Sequence, residues 1–149
     1  MKHSTFLLSA IMAVVMMAMC PQRMWADKVA HAVYNSSNYT LTFYYDELDH
    51  SGDGTGYDRN SGTNAPGWWK KSLMSKVVFD ESFKDARPTS CYGWFYDCGI
   101  TDIQGIANLN TSEVTNMNSM FYRCYYLPTL DLSNFDTSKV TDMSYMFYN

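Results

Sequence analysis

The sequence predicts an α/β solenoid, with a short strand plus a short helix or 3₁₀ turn in each repeat and a small antiparallel β cap ahead of the array. Two observations carry that expectation. Thr111-Ser112-Glu113-Val114-Thr115-Asn116-Met117-Asn118-Ser119-Met120-Phe121-Tyr122 is followed by Thr137-Ser138-Lys139-Val140-Thr141-Asp142-Met143-Ser144-Tyr145-Met146-Phe147-Tyr148. Subtracting, 137 − 111 sets a period of 26, and eight of the twelve paired positions are identical. A fixed period of about 20 to 50 residues marks a stacked-repeat architecture. Ahead of the repeats, Leu41, Phe43 and Tyr45 alternate against Thr40, Thr42 and Tyr44, the period of a strand with one buried face. The chain is accordingly divided into a signal peptide (1–26), an N-terminal β cap (27–80) and about three 26-residue repeats (81–149), the first divergent and the last truncated.

The leader comes first. Lys2 and His3 precede a run without charge from Ser4 to Gln22, rich in Leu, Met, Val and Ala. A basic start followed by an apolar core reads as a secretory signal peptide, too short and poorly flanked for a membrane span. Cleavage is expected after Ala26. Cys20 offers lipid attachment as an alternative, against which the bulky Met19 stands. Removing residues 1–26 takes away Lys2 and Arg23 and no acid, which moves the net charge from −4 to −6. Acidic surfaces repel phosphate backbones, so nucleic-acid binding is disfavoured.

In the cap, a strand over 39–45 is followed by the glycine-rich turn Asp49–Gly56, a short strand near Tyr57-Asp58 and a further strand at Lys76-Val77-Val78-Phe79. Asp49, Ser51, Asp53 and Gly54 match the opening of a calcium loop. The closing position is Asn60 rather than a bidentate Glu, and a solvated hairpin turn explains the same residues. Calcium is therefore a weak expectation, and no cofactor is expected.

In the repeats, Phe83, Leu109 and Phe135 share the spacing of 26, as do Thr89, Thr115 and Thr141, and Trp94, Met120 and Met146. Leu130 and Leu132 alternate around Asp131, which predicts a short strand, and Leu127 to Leu132 spells the L-x-x-L-x-L of a leucine-rich repeat. Thr137-Ser138 or Thr141 is expected to cap a helix, with Asp142 in its first turn and Met143, Met146 and Phe147 as its apolar stripe. Cys98 and Cys124 are repeat positions too. With Cys91 they read as small core residues, and a disulfide between neighbouring rungs stays open as the alternative.

With these residues in view, the chain resembles the BspA-like leucine-rich repeat surface proteins of bacteria. The segment Leu130 to Tyr148 carries the resemblance most specifically, and Leu41–Asp46, Pro66-Gly67-Trp68, Lys76–Asp80 and Ser82-Phe83 resemble the lead-in of that family. The resemblance implies export, display at the cell surface or secretion, and adhesion to host or bacterial surface proteins, without a transmembrane span after cleavage and as a monomer. It also implies further repeats and a sorting region, so the chain is expected to be an N-terminal fragment.

Recognition is expected in positions that differ between copies: Tyr122, Arg123, Tyr125 and Tyr126 at the connection, and Asp131, Ser133 and Asn134 on the expected strand. A purely structural capping role for the N-terminal segment is the alternative. A secreted hydrolase has less support. His31 and His50 lie outside the repeats, and adjacent Asp46 and Glu47 point to opposite faces of a strand, so no catalytic constellation assembles.

Overall fold

The computed structural model describes residues 28–58, 64–69 and 71–149. The expected signal peptide, Cys20 and Asn60 lie outside the described residues. Val29–Asn35 (β1) and Thr40–Asp46 (β2) form an antiparallel hairpin. Two asparagines close its turn: Asn35 Oδ1 accepts from the Ser37 N–H at 2.9 Å and Asn38 Oδ1 from the Thr40 N–H at 3.2 Å. Thr55–Asp58 (β3) pairs antiparallel with the other edge of β1. Lys76–Phe79 (β4) runs parallel beside β2, and Asp102–Gln104 (β5) runs parallel beside β4, giving the order β3-β1-β2-β4-β5.

Side-chain alternation decides which face of this sheet is covered. Ala32, Phe43 and Phe79 are register partners across three strands, as are Tyr34, Leu41, Val77 and Ile103 across four, and these rows point to the core. Phe43 is the centre of the packing. Its ring stacks on Phe79 at 4.7 Å and on Trp94 at 4.9 Å, and meets Trp68 edge-on at 5.3 Å. The Trp68 Nε1–H donates to the Trp94 carbonyl at 2.7 Å, across 26 residues. The repeat thus reaches back to Trp68.

Beyond the sheet, successive copies are joined by isolated parallel bridges, Ser90 to Asn116 and Asn116 to Asp142. The N–H groups of Cys91, Gly93, Phe95 and Asp97 donate to the carbonyls of Asn116, Asn118, Met120 and Tyr122 at 2.8–3.0 Å. Those of Met117, Ser119, Phe121 and Arg123 do the same to Asp142, Ser144, Met146 and Tyr148 at 2.8–2.9 Å. Each copy also turns sharply through left-handed residues at matched places: Gly93, Ser119 and Tyr145 at φ 59°, 56° and 59°, and Asp97 and Arg123 at 53° and 54°.

These observations correct the expected fold class. The all-antiparallel cap is replaced by a mixed sheet, because β4 and β5 are two returns of one repeat. Lys76 partners Asp102, and 102 − 76 is 26, so the strands run in the same direction and pair parallel. The α/β solenoid with a helix in each repeat does not form either. Among the described residues the helical segments are two 3₁₀ turns, Glu81–Asp85 and Ile106–Asn108, both outside the duplicated stretches. A left-handed residue in the middle of each expected helix breaks it, and in the first two copies the amides it would need are spent on the next one. Spacing of i, i+3, i+4 suits this turn-rich path as well as a helix. Met146 is buried, whereas Met143 and Phe147 are exposed.

The expected cap at Thr141 is a ladder contact, its Oγ1 donating to the Thr115 carbonyl at 3.0 Å as Thr115 does to Thr89 at 3.2 Å. Asp142 accepts from the Ser144 N–H at 2.9 Å in a local turn. The expected strand at Leu130–Leu132 is absent as well. Pro128 occupies the place 26 residues after Asp102, and proline has no N–H to give a ladder. Asp131 then folds onto the Ser133 N–H at 2.9 Å.

Two substitutions test this reading. Phe43→Ala empties the centre of the core and is expected to cost about 3–5 kcal/mol in urea unfolding. At Tyr145 the chain carrying Gly is expected to be more stable than the chain carrying Ala by about 1 kcal/mol, the reverse of their order in a helix. Thermal denaturation of the two variants decides between a left-handed turn and a helical one.

Candidate functional site

The connection after the middle copy carries four of the expected binding residues, and the repeat geometry explains where each one goes. Tyr96, Tyr122 and Tyr148 occupy one place in three copies. Their rings stack in a column at 4.4 Å and 5.3 Å, with interplanar angles of 3° and 10°. Phe95, Phe121 and Phe147 form a second column at 5.3 Å and 5.7 Å. Both follow from backbone bridges that set neighbouring rungs about 4.8 Å apart.

Arg123 sits in its left-handed bend with the guanidinium 5.3 Å from the Tyr122 ring centre. Tyr122 and Tyr125, then Asp97 and Tyr96, supply negative charge around it at high pH and raise its pKa above the ordinary value. Tyr125 is 58% exposed and Tyr126 69%. Tyr122, Arg123 and Tyr125 therefore lie together as an aromatic and cationic group, with the exposed Tyr126 next to Tyr125 in the chain.

Asp131, Ser133 and Asn134 behave differently. Asp131 holds the Ser133 amide, and this hydrogen bond is the largest reason its pKa falls below the usual carboxylate value. Asn134 sends its Nδ2–H groups back to the carbonyls of Ile106 and Leu109 at 3.3 Å and 3.2 Å, so it staples adjacent copies. Among the described residues Cys91, Cys98 and Cys124 are free of disulfides and buried. Burial pushes the thiol pKa of Cys98 and of Cys124 up to about 12.

The turn after β2 places the weak calcium residues. Asp49 Oδ1 accepts from the Ser51 N–H at 2.9 Å, and Asp53 Oδ2 lies 3.0 Å from His50 Nδ1. Beside them the structure assembles a group that the spacing of residues did not reveal. His31, Asp46 and His50 bring one ligand atom each within 4.8 Å of one another. The hairpin register puts Tyr44 opposite His31, and Asp46, two residues on, shares their face, which is the one turned away from the core. His50 then stacks on Tyr44 at 3.8 Å. Burial opposes charge on His50, but the carboxylates of Asp53 and Asp46 outweigh it and raise its pKa. The signal for this cluster is the turn at 36–39, since only a known turn fixes which residues of β1 and β2 face each other.

No helix among the described residues is long and apolar enough to cross a membrane. Residues 89–149 match a family profile described as "Mycoplasma protein of unknown function, DUF285". The match takes in the copies whose tyrosines form the column, and not the histidine cluster. No curated protein and no solved structure shows significant similarity to the chain.

Replacing Tyr122 by Leu keeps apolar bulk and removes both stacked ring pairs. A loss of about 1–3 kcal/mol is expected, at about 0.5–1.5 kcal/mol for each pair. Chemical denaturation of Tyr122→Leu beside Tyr126→Leu, whose ring is exposed, measures it.

Proposed function

We propose that this chain is an exported bacterial surface protein of the BspA-like kind, acting as a protein-binding, adhesive module. The observation that carries the reading is the tyrosine surface. Arg123 packs on the Tyr122 column, and Tyr125 and Tyr126, which follow in the chain, leave more than half of their area in water. Tyrosine and arginine dominate binding hot spots because each joins a large apolar body to hydrogen-bonding groups at small entropic cost. The stacked column holds part of this surface rigid before any partner arrives, which lowers the ordering cost of association. The family match over 89–149 supports the surface-protein reading, as does the segment Leu130 to Tyr148. The partners are proteins of host or bacterial surfaces, and the proposed route outward is the leader over 1–26.

A structural reading has its own observation. The β1–β2 hairpin lies against β4, so it covers a strand edge that would otherwise be open to other chains. Sealing and adhesion are compatible in one molecule. Hydrolysis of peptides or glycans by the purified chain would overturn the binding reading.

The experiment compares the chain with a Tyr125→Ala/Tyr126→Ala variant on intact bacterial cells and on immobilised extracellular proteins. Adhesion is expected to fall by at least about tenfold while the unfolding transition is kept, as for residues at the centre of a hot spot. Equal adhesion by the two chains removes the site.

A further inference from the structure

The histidine cluster lies outside the repeats and outside the tyrosine surface, and its geometry has a chemistry of its own. His31 is on β1, Asp46 ends β2, and His50 is in the turn that leads to β3. Tyr44 provides a shelf between them, its ring 3.8 Å from that of His50 and 5.6 Å from that of His31. The His50 and Asp46 side chains are mostly covered, at 13% and 17% exposure.

Hydrogen bonding places the N–H of each neutral imidazole. His31 Nδ1 lies 3.0 Å from the Val29 carbonyl oxygen, which can only accept, so Nδ1 carries a proton, and in the neutral ring Nε2 holds the lone pair. His50 Nδ1 lies 3.0 Å from Asp53 Oδ2, which assigns the proton in the same way. In the neutral ring the lone pair of His50 Nε2 then faces the Asp46 carboxylate, 3.3 Å from both of its oxygens. Two acceptors in that position repel each other unless a proton or a metal ion lies between them. The separation of His50 from Asp46 fits a metal ion between them, and a His31 ligand atom lies within 4.8 Å of both. Ligands about 2.1 Å from a tetrahedral metal stand about 3.4 Å apart, whereas a charge-assisted hydrogen bond is shorter, about 2.7–2.9 Å.

The outer contacts fit as well. A metal-binding histidine usually donates its second ring N–H to a carboxylate or a backbone carbonyl, which fixes the tautomer and the ring plane. His50 has the first arrangement with Asp53, and His31 the second with Val29.

We propose that His31, Asp46 and His50 form a site for a divalent transition metal ion of the zinc class, with Asp53 and the Val29 carbonyl orienting the two imidazoles. Two imidazoles and one carboxylate suit zinc and its neighbours; calcium takes about six to eight oxygens. Three protein ligands leave one coordination position open. The same residues line a groove of about 490 Å³, walled in part by Val29, Val33 and Leu48, from which water or a donor atom of another molecule supplies the fourth ligand. The site does not depend on the tyrosine surface, so either can fail without the other.

The untagged chain, stripped with a chelator and titrated with zinc chloride, is expected to take up one ion. Cobalt(II) in its place gives the strong visible absorption of a four-coordinate site. His31→Ala and His50→Ala each abolish that uptake, and Asp53→Ala weakens it about 10- to 100-fold. Far-UV spectra recorded in chelator establish that the variants fold. A second readout needs no variant: one equivalent of zinc moves the Nε2 resonances of both His31 and His50. The proposal is overturned if zinc uptake survives both histidine substitutions or if calcium competes equally. Unchanged ring resonances overturn it as well, and they are the result expected if a protonated His50 simply bridges Asp46 and Asp53.

Discussion

A chain with five short strands and no α-helix among its described residues still has to pair the backbone amides it buries. It does so by passing them to the copy ahead. Four N–H groups leave each of two successive copies for carbonyls in the next, and the remaining turn amides, such as those of Trp94, Tyr96, Met120 and Tyr122, close locally onto the carbonyl three residues back. That division demands a constant period, since an added or lost residue inside 91–97 or 117–123 would aim donors at the wrong carbonyls. It also demands left-handed bends at the same places in every copy. The Gly93, Ser119 and Tyr145 column is held by backbone geometry despite having three different side chains.

Side chains follow the backbone into columns. Ser90, Asn116 and Asp142 are different letters with one task, each using a side-chain oxygen to hold the amide two residues on. Lys139 meets Glu113 across one rung at 2.7 Å, an exposed pair that adds little to stability. Burial depends on the neighbour more than on the letter. Met117 is fully buried and Met143, at the same place in the next copy, is 45% exposed.

What could be read in advance was the period, and with it the columns of Met, Phe and Tyr. The strand at β2 and the one at β4 were also legible, because alternation along Thr40–Asp46 and the run Lys76–Phe79 leave little choice. The secondary structure of the copies was not. Thr141 and Asp142 look the same as a helix cap and as a turn with a ladder contact, and the difference lies in amides that only a stacked neighbour can accept. The direction of β4 and β5 was hidden in the degraded letters of the earliest copy, where Trp68 and Trp94 preserve the spacing and little else does. Of the residues expected to bind, Tyr125 and Tyr126 are exposed, whereas Asn134 is used for stapling copies. The histidine cluster depended on a hairpin register set by Asn35 and Asn38, two residues with no part in the cluster itself.

The place of Pro128 has a consequence for how these molecules behave in a crowd. β5 is a strand of three residues, with Asp102 and Gln104 exposed on it and no further strand beside it among the described residues. Where the next return of the repeat would extend the sheet, proline stands instead, so growth of the sheet halts while the turn bridges continue on the other side. A long, flat, apolar edge would recruit strands from other chains. This border is brief and polar, so it offers the strands of crowded neighbours little to pair with.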